Sequence, residues 1–193
     1  VAKTIAQRED VLPLLAEVFR HYGFEGASLA RIGAGTGLGK GSMYHFFPGG
    51  KDDMAAAVLD QIDAWFQLQV FLPLRASADA RAGIAAMFGA VERYFLSGQK
   101  ICLVGVFALG SERDRFALKV KSYFSDWIAA LDEALRRAGW DGEAAQVLAL
   151  EAVGAIQGAL VLARALDRPA LFGVALHGLQ MRLLQGCPVG NIK

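Results

Sequence analysis

The chain has 193 residues, 54% of them hydrophobic, and its 20 Lys and Arg against 19 Asp and Glu leave a formal charge of only +1. That composition excludes a disordered chain, supports a substantial core, and means that any polyanion partner must be met by a local patch rather than by global charge. Asp60, Asp63, Arg81, Glu92, Arg93 and Lys100 interrupt the apolar stretches, so no membrane span of roughly 18–20 residues is expected; VAKTIAQRED lacks a signal-peptide centre, and the expected compartment is the cytoplasm.

From Arg8 to Tyr22, Leu12, Leu15, Ala16 and Phe19 fall at i, i+3, i+4 and i+7, one face of a helix that Gly23 would end. Pro13 lacks an N–H and crowds the preceding turn, so either the helix starts near Val11 or the arm Val1–Gln7 joins it through a kink. Ser28 is a good N-cap for a short helix from Leu29, with Leu29 and Ile32 on its buried face, and Gly37 supplies the positive φ that ends it. Leu38 then points inward from the turn. A second short helix, Lys40 to Phe46, turns Met43 and Phe47 inward and leaves Lys40, Ser42, Tyr44 and His45 outward.

Two short helices about a glycine turn have the shape of a helix-turn-helix. Thr36 to Lys51 carries two lysines and no carboxylate, the local sign that phosphate neutralisation needs. Gly33 and Gly35 inside the first of these helices each cost about 0.5–1 kcal/mol relative to Ala, which predicts a helix that is soft without DNA. A phosphate-loop reading fails, because Ala34 stands at its first glycine, Gly41 at its Ser/Thr, and no strand precedes.

Lys51 to about Phe71 sets Met54, Val58, Ile62, Trp65 and Phe66 opposite Asp52, Asp53, Asp60 and Asp63, a long connecting helix that Pro73 should stop. Asp79 caps a helix to Phe95 that carries Ile84, Met87, Phe88, Val91 and Tyr94, and Ser97-Gly98 breaks it. Ile101–Leu109 is continuous enough to be a buried strand or a short buried helix. From Asp114 to Ala138, Phe116, Val120, Phe124, Trp127, Ile128, Leu131 and Leu135 repeat at three and four, and Gly139 ends the run. Asp141 opens a helix to Leu166 rich in small residues, and Pro169 starts a last one to Gln185 with Leu171, Phe172, Leu176, Leu179 and Leu183 inward. The fold class is therefore all-α: a three-helix head over 1–48, a helical body over 49–185, a loose tail over 186–193, and about nine helices in all.

SLARIGAGTGLGKGSMYHFFPGGK, with VLPLLAEVFRHYGFEGAS before it and KDDMAAAVLDQI after it, resembles the DNA-binding region of TetR-family transcriptional regulators. The resemblance makes Ile101–Leu109 a helix and sends the third helix into the major groove of a palindromic double-stranded operator. Lys40, Gly41 and Ser42 would then lie nearest base edges, Tyr44 and His45 between base and phosphate, and Ser28, Tyr44 and Lys51 on phosphates. The arm Val1–Gln7, with Lys3, reads first as a frayed terminus and otherwise as a reach toward the DNA backbone. The body would hold a hydrophobic small-molecule effector among Trp65, Met87, Phe88, Val91, Phe107, Phe124, Trp127 and the polar Tyr94 and Gln157, all of which also serve as core. Its last two helices would form a homodimer interface through Ala152, Ala155, Gly158 and Ala159 with Leu176, Leu179 and Leu183.

His21, His45 and His177 are isolated, so neither catalysis nor a metal or cofactor is expected, and Cys102 and Cys187 read as reduced thiols. The alternative function is a helical carrier without DNA binding. Lys40–Lys51 separates the two readings, since a carrier has no use for it.

Overall fold

Short polar side chains write the helix starts. In the computed structural model, which describes residues 7–185, the Asp79 carboxylate accepts from the backbone N–H groups of Arg81 and Ala82, and that of Asp141 from Glu143 and Ala144. Each satisfies donors that a first helical turn leaves open. The described residues run α1 (Arg8–Gly26), α2 (Leu29–Thr36), α3 (Lys40–Phe46), α4 (Gly50–Phe66), α5 (Leu72–Ala76), α6 (Ala80–Tyr94), α7 (Leu103–Leu109), α8 (Ala117–Arg137), α9 (Gly142–Ala165) and α10 (Ala170–Gln185), with no strand among them. With α4 and α5 taken as one run, these make nine helices. Of Ile101–Leu109, the part Leu103–Leu109 is helix and Ile101 and Cys102 precede it. Lys3, most of the N-terminal arm, Cys187 and the 186–193 tail lie outside the described residues.

Three local expectations change. α1 starts at Arg8 and runs through Pro13, so neither a start near Val11 nor a kink at the proline is needed; its break comes at Gly23, with φ 67° and ψ 176°, a conformation open to glycine. Pro73 does not stop the connecting helix. A π turn over Gln67–Phe71, in which Leu72 N–H donates to the Gln67 carbonyl, widens the spiral ahead of the ring, and Pro73 sits as second residue of α5, where a missing N–H costs little. α9 is long and apolar enough to cross a membrane by length and composition, against the expectation that no segment would be. Its apolar residues serve two faces: Ala145, Leu148, Ala149, Ala152, Val153, Ile156 and Leu160 are buried within the chain, while Val147, Leu150, Val161 and Leu162 are exposed.

Packing divides the chain into two compact units. The first takes the described residues through Ala64 together with Leu103–Lys121, more chain than a head ending at residue 48. Its centre is aromatic: Phe24 meets Phe19 at 6.1 Å and Phe116 at 5.5 Å, and Phe107 lies 5.5 Å from Phe116. Asp52 pairs with Arg115 at 2.8 Å, and Asp60 with Lys119, tying α4 to the start of α8. These pairs are exposed, so each adds well under about 1 kcal/mol. The second unit, Trp65–Cys102 with the described residues from Ser122, buries Phe66, Phe71, Phe88, Phe95, Tyr123, Trp127 and Phe172, and the Trp127 indole N–H donates to Met87 Sδ at 3.4 Å. Leu96 and Ser97 take positive φ and lead into Gly98 at φ 91°, where a Cβ would stand 2.6 Å from both Phe172 Cβ and the Pro169 carbonyl. Glycine alone lets that turn lie against the start of α10. Cys102 is a buried thiol.

Candidate nucleic-acid interface

The turn between α2 and α3 is built from short-range chemistry. Ser28 Oγ accepts from Arg31 N–H at 3.3 Å and starts α2, and Gly37, at φ 73° and ψ 6°, ends it with its N–H on the Gly33 carbonyl at 2.8 Å. Thr36 adds a latch that sequence reasoning missed: its buried hydroxyl donates to the Ile32 carbonyl at 2.7 Å and accepts from Leu38 N–H at 3.3 Å. Leu38 is half-buried in the turn.

The interior glycines of α2 are contact points. A Cβ on Gly35 would stand 2.4 Å from Val18 Cγ2 of α1, and one on Gly33 would meet the Leu38 carbonyl at 3.2 Å and Met43 Cε at 3.5 Å. Their propensity cost therefore accompanies close approach of α2 to both neighbours, which sets where α3 stands. Ile32, Met43 and Phe47 are buried, while Lys40, Gly41, Ser42, Tyr44 and His45 are exposed, the division that helical periodicity predicts. No added atom on Gly39 or Gly41 would touch anything within 4 Å, so the start of α3 is a bare backbone ridge flanking Lys40. From Gly26 through Gly50 the cations are Arg31 and Lys40, with no carboxylate.

Lys51 departs from its expected place on a phosphate. Its Nζ donates to the Phe24 carbonyl at 3.0 Å, lies 3.7 Å from Glu25 Oε2 and sits 4.3 Å above the Phe24 ring, with the side chain 25% exposed. A cation so placed adds a second donor to the Phe24 carbonyl, which also accepts from Ala27 N–H at 3.3 Å, and faces the protein. Arg8 makes a matching tie, donating to the Phe46 carbonyl at 3.3 Å and to Asp53 Oδ1 at 3.3 Å, above the Phe47 ring. Arg31, not singled out by pattern, is exposed on α2 with its guanidinium 4.4 Å over Tyr22 and one N–H on the Gly26 carbonyl at 2.7 Å. Stacking of this kind holds the planar fork ready for an anion.

The expected effector set divides. Phe107 belongs to the first unit, against Phe19, Phe24 and Phe116, and is withdrawn from it. In the second unit the Trp65 and Tyr94 rings lie 4.6 Å apart, tilted by 40°, Phe66 is 4.9 Å from Tyr94 and 5.3 Å from Trp127, and Met87, Phe88 and Val91 are fully buried. Phe124 is half-buried beside Tyr123 at 5.0 Å. Gln157 keeps a buried Nε2 with no hydrogen-bond partner among the described residues.

The expected dimer residues also divide, because α9 and α10 pack on each other inside the chain. Ala152, Ala159, Leu176 and Leu183 are buried there, Leu179 is half-buried, and only Ala155 and Gly158 are exposed. The outward apolar face lies a few residues around each helix: Val147, Leu150, Ala155, Gly158, Val161 and Leu162 on α9, Val174 and Met181 on α10.

Two family models match the chain: one described as bacterial regulatory proteins, tetR family, over residues 14–58, and one as a transcriptional regulator LmrA/YxaF-like C-terminal domain over 78–175. The HTH-type transcriptional regulator LmrA of Bacillus subtilis is 24% identical over 159 residues, covering 80% of this chain and 85% of LmrA. A TetR transcriptional regulator from Legionella pneumophila has the same fold, with a TM-score of 0.77 at 22% identity over 94% of this chain and 98% of its own. A cysteine mutant of the TetR family regulator CifR, in a structure that includes 26-base-pair operator DNA, matches with a TM-score of 0.70 at 23% identity over 92% and 98%.

Proposed function

Because the chain belongs to the TetR family of bacterial regulatory proteins, we propose that it is a homodimeric repressor, held on a palindromic operator by α3 and released when a hydrophobic small molecule occupies its body. The observation that carries DNA binding is the exposed run Lys40, Gly41, Ser42, Tyr44 and His45 beyond a left-handed Gly37, in a stretch without carboxylates. Lys40, Ser42 and His45 read base edges, and the bare Gly39 and Gly41 let the helix backbone lie deep in the major groove. Ser28, Tyr44 and Arg31 hold phosphates; Arg31 takes the role first expected of Lys51. CifR offers a parallel in a related fold, since its structure contains operator DNA.

Two heads reach two half-sites about 34–36 Å apart only as a dimer. The exposed apolar residues of α9 and α10, with Ala155 and Gly158 for close approach, supply the face for a second copy. Effector binding falls to the second unit, where Trp65, Tyr94 and Phe124 give an aromatic wall over the Met87, Phe88, Val91 and Trp127 core. Gln157 offers a buried donor that an effector's acceptor would satisfy, relieving a desolvation cost of about 1–3 kcal/mol. The effector acts by preferring one body conformation, and its coupling to DNA affinity is of the order of 1–3 kcal/mol.

The test is fluorescence anisotropy on DNA flanking the encoding gene, over a salt series. Arg31, the charged phosphate contact in each of two subunits, contributes about −2 to the slope of log K against log salt, and Arg31→Ala removes that contribution. Absence of sequence-specific binding by the folded dimer would refute the reading.

A further inference from the structure

On α1, Val18 and Tyr22 stand one turn apart on a single face, and on α2 so do Gly35 and Arg31. The close approach of Gly35 to Val18 joins the helices at one end of this contact, and at the other it brings Tyr22 under Arg31, whose guanidinium carbon lies 4.4 Å from the ring centroid. The fork is held a second way, because Arg31 Nη1 donates to the Gly26 carbonyl at 2.7 Å. A Cβ on Gly26 would stand 3.4 Å from Tyr22 Cβ and 3.7 Å from Arg31 Nη1, so ring, carbonyl and guanidinium meet at one place. Both side chains are exposed. The other guanidinium donors have no acceptor among the described residues, and Glu25, the carboxylate nearest in the chain, lies 3.7 Å from Lys51 Nζ instead.

Folding gains little from this arrangement. Arg31 stands in the first turn of α2, where the helix dipole disfavours a cation, and an exposed cation–π contact is weak. What the stack supplies is rigidity: an arginine gives up rotamer freedom when it grips a phosphate, and one already flat on a ring has less to give up. We propose that Tyr22 is a positioning residue for DNA binding, its ring fixing the Arg31 fork so that the open N–H groups take an operator phosphate bidentately. The ring does this, not the hydroxyl, because the ring is what lies against the guanidinium. This role rests on the operator-binding reading of the head and adds the end of α1 to the elements that serve it.

Fluorescence anisotropy of the full-length protein on the operator duplex from the flanking DNA, over a salt series, tests the role. Tyr22→Leu should weaken binding about threefold or more per subunit, about tenfold or more in the dimer, at the salt slope of the parent, since the charge still reaches its phosphate. Tyr22→Phe should bind like the parent. Arg31→Lys, which keeps the charge and gives up the planar fork, should lose affinity at an unchanged slope. In an Arg31→Ala background, Tyr22→Leu should change affinity by less than about twofold, whereas damage to the packing of α1 would add to the Arg31 loss. The proposal is overturned if Tyr22→Leu or Arg31→Lys binds like the parent, if Tyr22→Phe loses as much as Tyr22→Leu, or if the Tyr22→Leu loss is as large without Arg31 as with it. Absence of specific binding by the parent refutes the operator reading itself, and this role with it.

Discussion

Alanine at position 35 would set a Cβ 2.4 Å from Val18 Cγ2, roughly 1 Å inside the 3.5–4.0 Å optimum for two carbons. Val18 is 5% exposed and β-branched, so it has one strongly preferred rotamer on α1 and no room to swing aside. α2 must therefore lift from α1. Overpacking of this kind costs about 1–3 kcal/mol, whereas replacing a helical glycine by alanine returns about 0.5–1 kcal/mol; Gly35→Ala should destabilise by about 1 kcal/mol net. Urea unfolding at constant m measures it, and operator affinity should fall as well, since α3 moves with α2. Adding Val18→Ala removes both methyls and should recover about 1 kcal/mol of the loss in a double-mutant cycle. Gly41→Ala, with nothing within 4 Å of its new atom, should instead gain about 0.5 kcal/mol. A Gly35→Ala protein more stable than its parent would show that α2 does not rest on Val18.

Lys51→Met should cost about 1 kcal/mol of stability through the lost Phe24 carbonyl and Glu25 contacts, and leave the salt slope of operator binding unchanged; a slope reduced by about two units in the dimer would return Lys51 to the DNA. Thr36→Val should cost about 1–3 kcal/mol in urea unfolding, because the Leu38 N–H loses its acceptor and the Ile32 carbonyl its donor. Val161→Asp, on the outward face of α9, should give a 20.7 kDa monomer by sedimentation that no longer holds two half-sites, whereas Val153→Ile, on its inner face, should leave assembly intact.

Caps and turns were legible in the sequence because their chemistry acts within three or four residues: Ser28, Gly37, Asp79 and Asp141 sit where their local partners require. The inward Met43 and Phe47 and the outward Lys40, Ser42, Tyr44 and His45 followed from helical period alone. What sequence could not supply was distance between segments. Gly35 looked like a weakness until Val18 stood against it, and Phe107 looked like body until it met Phe19 at 6.1 Å, 88 positions away in the chain. Lys51 resembled a phosphate ligand because its sign is right, but sign does not say which way an ammonium turns. α9 misled for a related reason: with apolar residues on two faces, its pattern does not tell the face that packs on α10 from the one left outward.

The first unit is discontinuous, with α1–α4 completed by Leu103–Lys121. On the ribosome, α2 and α3 emerge long before Phe107 and Phe116, which Phe19 and Phe24 need as neighbours. At about 5–20 residues per second the nascent head waits some 4–14 s between residue 51 and residue 121 with those rings uncovered. The same arrangement governs chimeras. A regulator given this head by a single crossover after the helix-turn-helix would inherit someone else's plug for the aromatic centre, so an exchange that keeps the head intact has to transplant two separate stretches of chain.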